Sequence, residues 1–413
     1  MVDTVDLGKF PLGKNNIAKE TSLPEGSLRD AINVDVDDAG NTRLREGYEL
    51  LYSGSGIGSL FERYFREGTE LKHLNDDNTA TTIGNVEGKV RYTKVNDLIY
   101  YTDGYSNGVI HGMETTPLSI DTPKTFQVEH SSNGSLEPGL YLVTCAYISL
   151  DGVISGAPIT TEIKLFTTGG ITVTVPQPTI PGKIIIYCTP FDSPTLYEQA
   201  ILSYGINVYT INSIRKDNRT CATQFMESMP AGQIIEYYKG KLYIANDDVL
   251  WFSEPHRYGL TIPSKNFFYF PERITICIAV DSGIYIVADK TYFLTFSKTE
   301  EASIKEVSNK KAVEGTGLKV SGGFFKFEFE SDLAYWFSEI GAVVGLPNGQ
   351  IHNLTEDVLA IPDNSSMVGT SLQREYNGIN QIISTMPKGG EVASLQSTDT
   401  ATLTVIRNGV VVV

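Results

Sequence analysis

The stretch "KGKLYIANDDVLWFSE", residues 239–254, contains two strand-like segments joined by a turn-like one. An aromatic strand around Tyr243 leads through a polar Asn-Asp-Asp tract into a second aromatic strand around Trp251. β-Branched and aromatic residues favour pleated strands, whereas Asn and Asp favour the turn that joins them. The stretch therefore predicts two neighbouring strands of an antiparallel sheet.

The same pattern returns further along the chain. "DSGIYIVADKTYFLTF", residues 281–296, places Tyr285 42 residues after Tyr243, which is about the length of one four-stranded propeller blade. "YWFSE" at Trp336 matches "LWFSE" at Trp251, and their separation of 85 residues corresponds to two such steps. The best helical candidate, "TEEASIKEVSNKKAV", is weak because of its β-branched and Ser/Asn content. The repeat predicts an all-β chain, a β-propeller of about five to six blades.

The repeat is interrupted upstream. "NDLIYYTDG" begins in the same way at Tyr100, but Tyr100 lies 143 residues before Tyr243, a gap of one blade plus about 100 residues. The intervening text holds about seven short strands with regular turn signals, and "YISLDGVISGAP" predicts a hairpin with Asp151-Gly152 as its turn. We therefore expect blades in residues 31–116 and 216–413 and an inserted fibronectin-III-like β-sandwich in residues 117–215. A longer propeller with irregular blades is the alternative.

Composition excludes several classes of function. The formal net charge of −16 argues against electrostatic binding to nucleic acid or to an anionic membrane. The four scattered cysteines contain no CxxC pair and indicate reduced thiols. No apolar run is long enough to span a membrane, and no signal peptide is visible.

One segment is close to a calcium-binding loop. "NVDVDDAGNTRLRE", residues 33–46, has acidic residues and a glycine at EF-hand spacing, but Ala39 stands where an oxygen ligand is needed. Strand-like alternation on both sides predicts a β-hairpin instead, with Gly40 supplying a positive φ.

Motifs of catalysis also lack their context. "GYSNG" around Ser106 follows a strand but precedes no helix, so it predicts a loop rather than a nucleophile elbow. The five histidines never occur at metal-ligand spacing, and His256 in "SEPHRYG" is more typical of a loop than of a general base. We therefore expect no catalytic, metal or cofactor-binding residue and no enzymatic activity.

Long stretches of the chain resemble a family of bacteriophage virion proteins. The resemblance lies in "LGKNNIAKETSLPEGSLRDAINVDVDDAGNTRLREGY", residues 12–48, and in "MPAGQIIEYYKGKLYIANDDVLWFSEPHRYGL", residues 229–260. "FPERIT", "GAVVGLPNGQIHNLTED" and "VIRNG" extend it. Together with a propeller carrying an inserted sandwich, these stretches resemble the tail nozzle proteins of short-tailed phages, also called packaged-DNA stabilisation proteins.

That resemblance implies a structural role. Members form a ring of six copies below the portal and its adaptor, close the distal end of the DNA channel, retain the packaged genome and let it pass on ejection. The expected partners are other copies of the chain, the portal and adaptor, and tail fibre or needle proteins. The expected location is the virion tail, after synthesis in the host cytoplasm. Genomic DNA is expected to pass without tight binding.

Two sets of residues are candidates for contacts in such an assembly. An acidic surface repels phosphate, so the turn residues Asp35, Asp37 and Asp38 are candidates for a channel-facing or inter-subunit position. Residues 1–30 are polar and without period, which predicts an extended arm that orders on a neighbouring subunit. Phe10 and Leu12 are its candidate anchors. The apolar C-terminal "GVVVV" is expected to be paired.

Two further functions remain open. A receptor-binding tail component would recognise a surface glycan through aromatic residues of the sandwich loops, for which Phe191 and Tyr197 are candidates. A propeller glycosidase would need a carboxylate pair, and the sequence nominates none among its 49 acidic residues.

Overall fold

The structure, a computed structural model, describes residues 9–29, 34–36, 39–44, 50–297, 301–325, 331–356, 358, 368–376, 379–385 and 410–412. The chain divides into two compact units. The first unit consists of Gly54–Asn246 and Leu250–Phe268. The second consists of Met1–Ser53, Asp247–Val249 and Tyr269–Val413.

The N-terminal residues of the second unit form two small pairings. Strand β1 (Gly13–Lys14) runs parallel to β2 (Ser27–Leu28), with a 3₁₀ turn at Glu20–Ser22 between them. Strand β3 (Val34–Val36) is antiparallel to β4 (Thr42–Leu44), and Gly40 between them has a φ of 83°. The hairpin prediction is confirmed, since glycine reaches this left-handed conformation without a Cβ clash.

Two four-stranded sheets open the first unit. Sheet A contains β5 (Ile57–Phe61), β6 (Tyr64–Glu67), β7 (Glu70–Leu74) and β8 (Ala80–Asn85). Sheet B contains β9 (Arg91–Val95), β10 (Leu98–Thr102), β11 (Asn107–His111) and β12 (Glu114–Pro117). In both, each strand pairs antiparallel with the next along the chain. Ser106 lies in the turn between β10 and β11, so the prediction of a loop at "GYSNG" is confirmed.

A two-layer sandwich of seven strands follows sheet B. Its strands are β13 (Gln127–Leu136), β14 (Gly139–Ser149), β15 (Thr161–Leu165), β16 (Gly169–Thr174), β17 (Gly182–Cys188), β18 (Tyr197–Leu202) and β19 (Val208–Ile211). One layer has the order β13-β16-β19 and the other β15-β14-β17-β18. Gly152, with a φ of 85°, closes the predicted hairpin after β14, where Ser149 N–H donates to the Val153 carbonyl. Its likeness to fibronectin type III stays a prediction.

The chain then completes a third sheet. Strand β20 (Glu227–Ser228) pairs with β24 (Leu260–Thr261). Sheet C has the order β21 (Ile234–Tyr238), β22 (Lys241–Asn246), β23 (Val249–Phe252) and β25 (Phe267–Tyr269). The buried Thr102 hydroxyl of sheet B donates to the Gly232 carbonyl at 2.9 Å and accepts from the Gly232 N–H at 3.0 Å. This pair of bonds joins sheet B to the strand connection that enters sheet C.

The second unit repeats the arrangement. Sheet D contains β26 (Ile276–Val280), β27 (Gly283–Val287), β28 (Thr291–Phe296) and β29 (Ala302–Ser308). Sheet E contains β30 (Leu318–Ser321), β31 (Asp332–Ser338), β32 (Gly341–Gly345) and β33 (Ile351–Asn353), with a 3₁₀ turn at Gly322–Phe325. A last sheet contains β34 (Thr370–Tyr376), β35 (Ile379–Thr385) and β36 (Val410–Val412), and β36 runs parallel to β35. The expectation that the C-terminal strand is paired is confirmed.

The repeat unit differs in one respect from the sequence prediction. Trp251 lies on β23, the third strand of sheet C, whereas Trp336 lies on β31, the second strand of sheet E. The 85 residues between Trp251 and Trp336 therefore do not correspond to two repeat steps. The alignment of "YWFSE" with "LWFSE" as equivalent positions is wrong. The equivalent second-strand positions are Tyr243, Tyr285 and Tyr335. Aromatic residues occur on the second strand of sheets C, D and E and also on the third strand of sheets C and D, so the same short text suits either position.

The prediction of an all-β propeller chain is confirmed. Five four-stranded antiparallel sheets, each with its strands in chain order, are propeller blades in form, and a sixth sheet has three described strands. The described elements are strands and two short 3₁₀ turns. Within the described ranges no helix is long and apolar enough to cross a membrane.

Candidate functional site: a cleft between sheet B and the sandwich

The residues nominated from the sequence do not come together in one site. Asp35 lies on β3 opposite Arg43, and Asp37 and Asp38 lie outside the described residues. Phe10 N–H donates to the Gly40 carbonyl at 2.7 Å, and Leu12 N–H donates to the Gly26 carbonyl at 2.9 Å. The Leu12 side chain is 44% exposed. The backbone of this arm is therefore held within its own chain, and its contact with a neighbouring subunit stays a prediction.

A large concave feature lies within the first unit. A cleft of about 540 Å³ is bounded by sheet B, by the sandwich strands β14, β17 and β18, and by the loop after β23. This volume is typical of small-molecule sites. The polar side chains in its lining are Tyr100, His111, Thr116, Ser119, Tyr187, Glu198, Arg219, Thr220, Thr223, His256, Arg257 and Tyr258.

A tightly bonded loop presents three of these side chains. Between Glu254 and Leu260, Glu254 N–H donates to the Leu260 carbonyl, and Leu260 N–H donates to the Arg257 carbonyl. His256 has a φ of 56°, a left-handed conformation that costs energy in a residue with a Cβ. Its N–H donates to the Gly240 carbonyl at 2.9 Å, which fixes that conformation. The loop therefore holds His256, Arg257 and Tyr258 in place before any ligand arrives.

Tyrosines form the wall on the side of sheet B. The rings of Tyr100 and Tyr258 meet edge to face at 5.3 Å between centroids, and Tyr258 meets Tyr237 in the same way at 6.0 Å. Burial and the neighbouring Tyr237 hydroxyl raise the pKa of Tyr258 to about 12. Burial also raises the pKa of Tyr100, so the Tyr100 and Tyr258 hydroxyls stay protonated at neutral pH and act as neutral hydrogen-bonding groups.

Tyr187 lies on the wall formed by the sandwich. Its side chain projects from β17, and the residue is only 4% exposed. Burial raises the pKa of Tyr187, and the charge of Glu198 adds to that effect. The positive charges of Arg219 and Arg257 act in the opposite direction, so both guanidinium groups lie close enough to influence its hydroxyl. Cation, phenol and carboxylate thus share one part of the cleft.

The segment that returns from the sandwich positions Arg219. Glu198 N–H on β18 donates to the Arg219 carbonyl at 2.8 Å, and the Asn218 side-chain amide donates to the Glu198 carbonyl at 2.8 Å. Tyr197 and Thr220 form a further bridge beside these bonds. The exposed Arg219 side chain is therefore carried by a backbone that is fixed against β18.

The predicted glycan-binding aromatics lie elsewhere. Phe191 is 45% exposed and packs beside Gly139, and Tyr197 is used in the bridge to Thr220. Neither lines the cleft. His256, treated as a loop residue from the sequence, is in a loop and also lines the cleft.

Sequence reasoning missed this cleft because its residues are far apart in the chain. Tyr100, Tyr187 and Arg257 come from three segments that meet only after the sandwich has folded beside sheet B. The polar tract "RKDNR", residues 215–219, between the sandwich and β20 was the one local signal. As to metals, the described part of the chain contains no group of three or more His, Cys, Asp or Glu residues that could hold an ion.

Comparisons with known proteins give no family. No protein-family model matches the chain, and no curated protein matches it. Among solved structures, BBS1N in complex with ARL6DN is similar at 10% identity over 74% of this chain and 89% of that chain, with a TM-score of 0.26. Sqt1 of Saccharomyces cerevisiae is similar at 9% identity over 69% and 91%, with a TM-score of 0.19.

A third similar structure, the AfRom2 CNH domain, has 10% identity over 68% of this chain and 93% of that chain, with a TM-score of 0.16. TM-scores this low support no conclusion about this chain from the three structures. The fold is established by the pairing of its own strands.

Proposed function

We propose that the protein is a structural component of a bacteriophage tail, the nozzle that closes the distal end of the DNA channel. The observation that carries the proposal is the sandwich inserted between sheets B and C of a series of blade-like sheets. This arrangement, with the text of residues 12–48 and 229–260, resembles the tail nozzle family. On this proposal the chain acts as a homo-oligomeric ring attached to the portal and adaptor.

The surface of the sandwich supports a role in assembly. Residues 127–211 contain only six carboxylate and two lysine side chains. Large apolar side chains are exposed on the same domain, among them Leu150, Ile159, Phe166, Tyr204 and Ile206. Exposed apolar side chains in a weakly charged surface are typical of protein–protein contacts. Neighbouring virion proteins, such as fibres, are the partners that this proposal assigns to it.

The charge of the chain supports passage of DNA rather than its capture. A net charge of −16 repels phosphate and offers few cations for counterion release. Asp35, Asp37 and Asp38 remain candidates for the channel wall. Replacing all three with lysine should reduce genome retention or slow ejection, and unchanged retention and ejection would remove them from that role.

Copy number on purified particles tests the proposal. Quantitative mass spectrometry of particles from the source lysate should find the protein in a fixed ratio to the portal, corresponding to a single ring. A protein absent from purified particles, or present in the copy number of a capsid subunit, contradicts a nozzle.

A further inference from the structure

Two arginines of the cleft have no acidic partner. Arg219 and Arg257 are both exposed, and neither forms an ion pair with a carboxylate of the described ranges. One guanidinium N–H of Arg257 donates to the Ala222 carbonyl at 2.5 Å, which leaves its other N–H groups available. In a chain with 49 acidic and 33 basic residues, two arginines that form no ion pair remain available for an anion from outside, with Glu198 as the carboxylate of the cleft lining.

The hydroxyl of Tyr187 is the second indication. It lines the cleft, and none of the described residues provides a hydrogen-bond partner for it. The charges of Arg219 and Arg257 both act on this hydroxyl, so a ligand held by the guanidinium groups can also bond it.

The remaining lining indicates what else the ligand carries. The lining contains apolar side chains such as Leu118, Ile154 and Ile185 together with the hydroxyls of Thr116, Ser119 and Thr220. Such a lining suits a compact ring with one C–H face and several hydroxyl groups, and about 540 Å³ accommodates one or two such rings.

We propose that this cleft binds a sugar acid, a pyranose ring that carries a carboxylate. Arg219 and Arg257 hold the carboxylate, since guanidinium groups match carboxylate geometry. The Tyr187 hydroxyl and the threonines bond the ring hydroxyls, and the aliphatic and tyrosine walls pack against the C–H face. The proposal does not rest on the nozzle role, so a protein absent from virions would leave it standing.

A peptide carboxylate fits the cleft less well. An extended peptide usually binds by adding a strand to an open sheet edge. The edge of β18 in the cleft is already bonded by Asn218 and Arg219, and β12 ends in Pro117, which has no N–H to donate. Recognition therefore depends on side chains, as it does for saccharides.

Calorimetric titration of the full chain tests the proposal. Glucuronate, galacturonate and N-acetylneuraminate are the probes, glucose is the neutral counterpart, and inorganic phosphate is the bare anion. At least one sugar acid should bind with a Kd in the millimolar range or tighter, and glucose at least about tenfold more weakly. A galacturonate trisaccharide distinguishes a polysaccharide from a free sugar as the source.

Three variants assign the binding to the cleft. Arg219→Gln and Arg257→Gln should each weaken sugar-acid binding about tenfold, and Tyr187→Phe about threefold. Arg215→Gln is the matched control, because Arg215 is exposed on the same segment and does not line the cleft. Arg219 is free of structural side-chain bonds, so its variant should fold even if the Arg257 loop were disturbed.

Four results overturn the proposal. They are no binding of any sugar acid, equal binding of glucuronate and glucose, phosphate binding as tight as that of the sugar acids, and unchanged affinity in both cleft arginine variants.

Discussion

The hydroxyl of Tyr285 joins two sheets of the second unit. Tyr285 on β27 is fully buried, and its hydroxyl lies 2.6 Å from the Leu346 carbonyl and 2.8 Å from the Gln350 carbonyl, beside β32 and β33. Its ring packs against Phe293 at 4.6 Å and against Trp336 at 5.5 Å between centroids. One side chain thus supplies both the apolar contact and the hydrogen bond between sheets D and E.

The Tyr285→Phe variant should lower the free energy of unfolding by about 1–2 kcal/mol, because the hydrogen bond from the hydroxyl to the neighbouring sheet is lost while the ring packing is kept. Urea denaturation followed by fluorescence measures the change. Tyr292→Phe is the control, since its hydroxyl bonds the Asp289 carboxylate at a half-buried site, and it should change stability by less than about 0.5 kcal/mol. Equal losses in the two variants would show that the sheet-joining bond contributes nothing.

At the residue scale, sequence reasoning succeeded where the signal was local. The positive φ at Gly40 and the hairpin turn at Gly152 follow from neighbouring residues and were predictable. The set of Tyr187, Arg219 and Arg257 was not, because no local pattern records that β17, the return segment and the loop after β23 meet.

At the element scale, the sandwich has a core of its own. Both of its layers contribute to one cluster of buried side chains, formed by Leu136, Tyr141, Val143, Cys145, Tyr147, Leu165, Ile171, Val173, Val175, Ile184, Ile186, Cys188, Leu202 and Ile211. Every member lies between β13 and β19, or on them. A domain that buries its core without help from the blades should fold by itself.

A fragment of residues 118–228 should therefore show β-sheet circular dichroism and a single cooperative thermal transition. It includes the return segment, which pairs with the sandwich at Thr220 and Gln224. Tyr141→Ala in the same fragment is the control, and it should abolish the transition by opening a large cavity. A fragment that is disordered in water would show that the sandwich depends on the blades.

The sequence did not show which strand of a sheet each repeated motif forms. "WFSE" occurs on a third strand at Trp251 and on a second strand at Trp336, since both positions need aromatic residues that pack against a neighbouring sheet. The weak helical candidate, "TEEASIKEVSNKKAV", contains strand β29 and not a helix in its described residues. Pairing with β28 supplies the backbone hydrogen bonds of β29, whereas an isolated helix would have had to form from its local sequence alone. In both segments, contacts with neighbouring strands determined the structure, and the local sequence did not.

At the scale of the whole molecule, many tyrosines are held protonated. Burial raises the pKa of Tyr147 to about 12, and it also raises the pKa of Tyr141, Tyr187, Tyr285 and Tyr335 above the ordinary value of 10.0. Above that value the unfolded chain releases protons that the folded chain retains. Stability from these groups is therefore complete below about pH 10 and falls as the pH rises further.

Urea midpoints should accordingly change little up to about pH 8, begin to fall as the thiols of Cys145 and Cys188 ionise in the unfolded chain, and fall steeply by about pH 11. Ultraviolet difference absorbance at the same pH values should show that only part of the 22 tyrosines ionises before the chain unfolds. Reversible ionisation of every tyrosine near its ordinary pKa, with the fold intact, would contradict this burial.

Immunogold microscopy tests directly whether the protein is a component of a phage tail. Antibody against the sandwich, detected with gold and viewed by electron microscopy on particles from the source lysate, places the chain without any assumption about its chemistry. Label confined to the distal end of a short tail is the expected result. Unlabelled particles, with the protein found free in the lysate, would contradict it.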